Sequence, residues 1–216
     1  MRHSALTLLG ASYIVASSFF GNAVFAQQDT RPDALLMYRN GQYQQAVQTT
    51  LNEISQMPKD MDSYSVLGWS LLKLGRYKEA VDYATKALAV SRYDNRIVEI
   101  LGEGYYYLGD NVQALKFLQE YTVLAPTGDR IDIVYYLTGE IYIRTGDYNH
   151  ADMALSAACY YSPNIARWWA RLGYAREMAR NYQLALDAYD HALQLNPALA
   201  DAQRGKARVQ AAIAGG

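Results

Sequence analysis

The sequence predicts an all-α solenoid, a protein built from about five stacked helix-turn-helix units. The first observation is a short block, in most cases opened by glycine, that reaches an alanine five residues later. The blocks begin at Gly41, Gly75, Gly109, Gly146 and Arg180, so they are 34, 34, 37 and 34 residues apart. A fixed period of this size is typical of solenoids. The second observation is that apolar residues within each period recur at helical spacing.

The second period shows how one unit is built. Tyr64, Leu67 and Leu71 are spaced as on one face of a helix. Gly75 is predicted to end this helix, because glycine adopts the left-handed conformation that closes a helix without steric cost. A second helix then begins near Tyr77, and so short a connection predicts that the two helices are antiparallel neighbours.

The N-terminal segment, residues 1–26, is predicted to be a secretory signal peptide. Arg2 and His3 precede a largely apolar stretch that closes on Val24-Phe25-Ala26, a small-residue cleavage pattern. The alternative is an uncleaved membrane anchor, because the stretch is just long enough to span a bilayer. Cleavage after Ala26 would place the mature chain across the inner membrane, in the periplasm if the source is a Gram-negative bacterium.

The rest of the chain divides into five units and a tail. The predicted units lie near 27–60, 61–94, 95–131, 132–165 and 166–199. The first unit is the most degenerate and is predicted to be an N-terminal cap, since terminal repeats are usually atypical. Residues 200–216 are predicted to form a helix that caps the array and ends in a frayed Gly-Gly tail.

The phased pattern resembles the tetratricopeptide repeat family. The unit from Ala166 carries most of the family's aromatic, Leu-Gly, tyrosine, alanine and proline positions, namely Trp169, Leu172, Gly173, Tyr182, Ala185, Tyr189, Ala192 and Pro197. The resemblance covers about 27–199 and implies a right-handed solenoid whose first helices line a concave groove. Two departures stand out. Arg180 replaces the turn glycine, so the chain must make that turn without a glycine. Asn111 replaces a packing tyrosine.

One irregularity interrupts the array. Three extra residues lie between Gly109 and Gly146, around 127–131. Either the loop lengthens there, or the next helix starts a turn early with Asp129 as its cap. The insertion is then either a neutral surface feature or a change of pitch that adds a lip to the groove.

Composition argues against nucleic-acid binding and against catalysis. The net charge is −1 and the basic residues are scattered, so a nucleic-acid partner held by counterion release is not expected. Downstream of the predicted cleavage site only His150 and His191 remain, and no His-Glu-x-x-His, phosphate loop or nucleophile elbow is present. Cys159 is predicted to be a small packed residue. We therefore expect no enzyme activity, no metal site and no cofactor.

Tyrosine is the residue type in excess, with 20 in the chain. By resemblance, the groove-facing positions of the first helices form an aromatic surface of mixed charge, and Lys73 and Arg167 map to the same face. The predicted partner-binding residues are Trp69, Glu99, Glu103, Tyr106, Tyr107, Tyr136, Glu140, Arg144, Tyr174 and Glu177. Aromatic and arginine side chains of this kind dominate recognition surfaces. The central glutamates are expected to favour a segment that is neutral or carries Lys or Arg.

The predicted function is that of a non-catalytic adaptor or scaffold of the bacterial cell envelope. Its expected partner is a segment of another envelope protein, held in the groove. An alternative from another class is a periplasmic protein that binds a small ligand or glycan, with the tyrosine rings stacking on sugars. A third reading is a homo-oligomer that assembles through the end units.

Overall fold

The computed structural model describes residues 33–215, and within them every regular element is an α-helix. The predicted all-α solenoid is therefore confirmed. The signal-peptide prediction falls on residues 1–26, which lie outside the described residues. None of the helices between residues 33 and 215 is both long and apolar enough to cross a membrane.

Eleven helices follow one another in this part of the chain. Their bounds are Ala34–Arg39 (α1), Tyr43–Gln56 (α2), Met61–Lys73 (α3), Tyr77–Val90 (α4), Asn95–Leu108 (α5), Asn111–Leu124 (α6), Ile131–Thr145 (α7), Tyr148–Tyr161 (α8), Ala166–Met178 (α9), Tyr182–Leu195 (α10) and Ala200–Ala214 (α11). We call the odd-numbered helices α1 to α9 first helices and the even-numbered ones second helices. Each first helix packs on the second helix that follows it.

The two kinds of helix form two layers. First helices also contact one another along the array, α1 with α3, α3 with α5 and α5 with α7, and α9 in the same way meets α11. Within residues 33–215 no pair of second helices is in comparable contact. Because the first helices lie closer together than the second helices, the array curves towards them. Their solvent-facing side is therefore the concave side, which we call the groove.

Left-handed residues make the turns between first and second helices. Gly41, Gly75, Gly109 and Gly146 have φ between 72° and 81°, a range in which glycine carries no steric penalty. At the fifth turn Arg180 adopts φ of 63° and is, between residues 33 and 215, the one non-glycine residue with positive φ. The chain thus keeps the turn geometry of the other units and accepts the strain of a side chain there.

Two glycines admit one large ring at the C-terminal end. Tyr189 is 1% exposed, and its ring lies against Gly173 of α9 and Gly205 of α11. A Cβ atom at Gly205 would lie 2.2 Å from Cζ of Tyr189, which is closer than atoms can approach. The helix α11 therefore covers the last unit through Tyr189, together with buried Ala202 and Val209. Ile213, near the end of the same helix, is 48% exposed and takes no part in this cover.

Two of the three extra residues lengthen a loop, and the third makes α7 one residue longer than α5. Six residues, 125–130, join α6 to α7, whereas four residues, 91–94, join α4 to α5. Of the two alternatives the longer loop is the one adopted, and Asp129 is not a helix cap, because α7 begins at Ile131 with Arg130 at the N-cap and no side-chain cap bond. Tyr121 holds the loop instead, since its hydroxyl accepts a hydrogen bond from the Arg130 backbone N–H at 3.3 Å.

The strain at Arg180 leads to a stability prediction. Arg180→Gly is expected to raise the free energy of unfolding by about 1 kcal/mol, because a left-handed residue with a Cβ costs about 1–2 kcal/mol and glycine gives back part of this gain through its unfolded-state entropy. Urea denaturation measures the change. Arg180→Ala is the control, since alanine keeps the Cβ and should stay close to wild type. A glycine variant no more stable than the alanine variant would contradict this account of the turn.

Candidate functional site

A charged cluster occupies the groove side of α3, α5 and the inserted loop. Arg130 donates from Nε and Nη2 to Oε1 of Glu99, at 3.1 and 3.0 Å. The same Nη2 donates to Oε2 of Glu103 at 2.8 Å. The indole Nε1 of Trp69 donates to the other oxygen of Glu99 at 2.9 Å. We call Arg130 with its two glutamates the Arg130 bridge.

The sequence explains how these groups meet. Glu99 and Glu103 are four residues apart on α5, so both carboxylates leave the same face of the helix. Arg130 is the last residue of the lengthened loop, and its guanidinium reaches back across the seam to α5. The lengthened loop therefore places a cation, Arg130, in the wall of the groove.

Both glutamates of the bridge are withdrawn from solvent. Glu99 is 1% exposed and Glu103 is 8% exposed. Burial raises the pKa of the Glu103 carboxyl from its ordinary 4.5 to about 7, and the neighbouring Glu99 adds to the rise, whereas Arg130 and Lys73 act in the opposite direction. Two ionised carboxylates would exceed the charge of the one guanidinium that they share, and the excess negative charge would be costly to keep out of water.

A second bridge joins α7 to α9. Arg171 donates to both oxygens of Glu140, at 2.6 Å from Nε and 2.9 Å from Nη2. The guanidinium of Arg171 also lies over the ring of Tyr174, 5.2 Å from its centroid. Arg171 thereby ties a predicted groove acid to a predicted groove ring.

A third bridge joins α9 to α11. Arg208 donates to the carboxylate of Glu177 at 2.6 and 2.8 Å, and the hydroxyl of Tyr189 donates to the same carboxylate at 2.6 Å. Burial alone would raise the pKa of Glu177, but the hydrogen bonds from Arg208 and Tyr189 hold it below its ordinary value. Glu177 is therefore an ionised residue that fastens the end helix.

The three bridges share one arrangement. In each, an arginine 31 residues further along the chain caps a glutamate of a first helix. The arginine is always the more exposed partner: 35% against 2% for Arg130 and Glu99, and 51% against 12% for Arg208 and Glu177. The glutamates that were expected to favour a neutral segment or one with Lys or Arg are therefore not free, since each carboxylate is recessed behind an arginine.

Stacked rings fill much of the remaining groove. Tyr107 stacks on Tyr77 with 4.6 Å between ring centroids and meets Tyr106 edge-on at 5.1 Å. Tyr136 stacks on buried Trp168 at 4.9 Å. Such contacts hold the rings in defined orientations. Tyr107 nevertheless stays 47% exposed, so part of this first-helix side chain is open to solvent.

The ten predicted site residues fall into three classes of exposure. Tyr107 and Arg144 are exposed, and Glu99 and Glu103 are buried. The half-buried ones are Trp69, Tyr106, Tyr136, Glu140, Tyr174 and Glu177. Glu99 is too buried to contact a ligand directly, so it can influence a ligand only through Trp69 and Arg130. A partner-binding role for the other residues stays a prediction.

Sequence reasoning missed the arginines of the bridges, Arg130, Arg171 and Arg208. Arg171 and Arg208 lie on first-helix and end-helix positions outside the family's groove positions, and Arg130 lies in the insertion. The constant spacing of 31 residues between glutamate and arginine was the available signal. The spacing of 31 residues can be interpreted only after the structure shows that it brings the two side chains together across the seam.

The groups that could carry chemistry are few. Cys159 is 1% exposed, as its predicted packing role requires, and burial raises the pKa of its thiol to about 12. His150 is exposed and its Nδ1 lies 2.7 Å from Oδ2 of Asp147 on the rim of a turn. Among residues 33–215 no three His, Cys, Asp or Glu side chains are grouped as a metal ion requires.

Comparison with known proteins supports the repeat assignment. Two sequence profiles of the tetratricopeptide repeat match residues 62–94 and 133–165. Among curated proteins, the BBSome complex member BBS4 of Bos taurus is 26% identical over 140 residues, which is 65% of this chain and 26% of that protein. The chain thus spans about a quarter of this relative's length.

Solved structures show the same fold. The crystal structure of MamA superposes with a TM-score of 0.64 at 18% identity, covering 76% of this chain and 88% of that one. YrrB, described as a TPR protein with an unusual peptide-binding site, gives 0.65 at 21% identity, covering 80% and 88%. The Cut9–Hcn1 hetero-tetramer of the APC/C gives 0.71 at 19% identity, covering 82% of this chain and 35% of that one.

The buried Glu103 predicts a pH-dependent stability. Its pKa is raised in the folded state, so the stability contributed by its protonated form is present below about 4.5 and is lost as the pH rises through about 7. Between pH 5 and pH 8 the wild type should therefore lose up to about 3 kcal/mol relative to Glu103→Gln, which keeps an acceptor for Arg130. Urea unfolding of both proteins at each pH measures the difference. Parallel profiles would show that Glu103 ionises without cost.

Proposed function

Because this chain belongs to the tetratricopeptide repeat family, we propose that it is a non-catalytic adaptor that holds an extended segment of a partner protein in its groove. The observation that carries the proposal is the arrangement of the groove side. There, exposed Tyr107 and Arg144 stand beside half-buried rings whose orientations are fixed by stacking and by the cation–π contact of Arg144 with Tyr106. A surface of rigid aromatic and arginine groups suits recognition of a peptide.

Preorganisation is the physical advantage of this groove. The ring of Tyr107 is held by Tyr77, and the indole of Trp69 is held by Glu99. A side chain already fixed in its binding orientation loses less conformational entropy when a partner arrives, so more of the contact energy appears as affinity. The bridges thus serve binding without contacting the ligand themselves.

The relatives are compatible with such a role. YrrB is described as having a peptide-binding site, and BBS4 and Cut9 are described as members of multiprotein complexes. Because the identities to the solved structures are 18%, 19% and 21%, that likeness supports the fold alone. The proposal for this chain therefore rests on its own groove.

We further propose that the adaptor works in the bacterial cell envelope, in the periplasm. The support is the N-terminal pattern, in which Arg2 and His3 precede an apolar stretch that closes on Val24-Phe25-Ala26. N-terminal sequencing of the protein from its native cells, after separation of periplasm, membrane and cytoplasm, tests this. A periplasmic chain that starts at Gln27 is the expected result, and an intact N-terminus in the cytoplasm would overturn it.

A pair of tyrosine variants tests the groove. Tyr107→Ala removes the exposed ring from the groove, and we expect it to reduce partner capture by cross-linked pull-down at least about tenfold, the size of a weak hot spot. Tyr160→Ala is the matched control, since Tyr160 is 81% exposed on the second helix α8, away from the groove. Both variants should unfold within about 1.5 kcal/mol of wild type. Loss of capture in the control alone would move the binding surface to the convex side.

A further inference from the structure

We propose that the segment held in the groove is acidic, with side-chain carboxylates that reach Lys73 on one side of Tyr107 and Arg144 on the other. This inference rests on the proposed function and names the chemistry of the partner. It reverses the charge preference that the sequence alone suggests.

The acids of the groove already have cationic hydrogen-bond donors. Glu99 and Glu103 accept from Arg130, Glu140 accepts from Arg171, and Glu177 accepts from Arg208. Their carboxylates are also more recessed than the guanidiniums above them. A basic ligand side chain would have to displace one of these arginines from a largely buried partner, which is costly.

Among the described residues, three cations on the same face, Lys73, Arg144 and Arg167, form no ion pair, and the first two flank Tyr107. Lys73 and Arg144 are both exposed and stand in the last turns of α3 and α7. Among the described residues neither has a carboxylate oxygen within 4 Å. Arg144 instead lies over the ring of Tyr106, 4.6 Å from its centroid, with Nη1 3.5 Å from the Tyr106 carbonyl oxygen.

Lys73, Tyr107 and Arg144 occupy the same position in three successive units, 34 and 37 residues apart. First helices in contact are about 8–10 Å apart, so Lys73 and Arg144 are separated by about 16–20 Å. An extended chain covers this distance in about five or six residues. The exposed ring of Tyr107 lies midway and can hold an apolar or aromatic side chain between the two acids.

The spacing also defines what kind of acidic segment fits. A single terminal carboxylate cannot reach two cations about 16–20 Å apart. The carboxylates must therefore come from two aspartate or glutamate side chains within one stretch of chain. Because Lys73 and Arg144 are exposed, their attraction is screened by salt, so binding should weaken as ionic strength rises.

The test is selection from a library of random 12-residue peptides displayed between flanking residues, so that no peptide offers a free C-terminal carboxylate. The purified protein is expected to enrich peptides that carry two acidic residues five or six positions apart with an apolar or aromatic residue between them. Enrichment of basic or uncharged peptides would overturn this inference while leaving a peptide-binding groove in place. Failure to enrich any peptide would overturn the inference and the groove assignment together.

Charge reversal then ties the selected peptide to these two residues. Lys73→Glu with Arg144→Glu should weaken the acidic peptide at least about tenfold in fluorescence anisotropy and should improve a matched peptide in which both acids are replaced by lysine. Lys59→Glu with Lys78→Glu is the control, because both lysines are exposed outside the groove and the net charge changes equally. Equal weakening by both pairs would mean a nonspecific charge effect and would overturn the assignment to Lys73 and Arg144.

Discussion

The rest of the groove depends on one interaction, the pairing of Arg130 with Glu99 and Glu103. A carboxyl group that is 1% exposed is costly to bury without a partner, and Arg130 supplies that partner from a different element. The same carboxylate then has a free oxygen to accept from Trp69, so the ion pair also fixes an aromatic ring. Charge, packing and the orientation of a binding residue are joined in one network that spans α3, α5 and the inserted loop.

The irregular part of the array, the inserted loop, supplies the arginine of this network. A solenoid is stabilised by contacts between neighbouring units, and an insertion in a seam ordinarily weakens those contacts. Here the longer loop is held by the Tyr121 hydroxyl and ends in a residue that bonds across the seam. The two later bridges repeat the idea with arginines carried on helices α9 and α11. The groove side is consequently lined by arginines over acids, with exposed tyrosine and lysine between them.

The sequence predicts the fold far better than the site. The spacing of Gly75, Tyr77 and Ala80 is repeated along the chain, and it reflects how the two helices of a single unit pack on each other. That is why the helix pairs follow from it. Arg180 could be flagged as a departure, but only the backbone shows that it takes the left-handed conformation at φ of 63°. The predicted groove residues lie on first helices, as expected. Which of their carboxylates are ion-paired, however, depends on arginines about one unit away in the sequence. Glu140 looks like a free acid until Arg171 is seen to cap it.

Arg130 and Glu99 stabilise one another across the seam, and the groove depends on this pair. A double-mutant cycle of Arg130→Met, Glu99→Met and the double variant, followed by urea unfolding, measures their coupling. We expect each single variant to lose at least about 2 kcal/mol, the double variant to lose no more than Arg130→Met alone, and the coupling energy to be at least about 2 kcal/mol. A coupling energy within about 0.5 kcal/mol of zero, with additive losses, would contradict it.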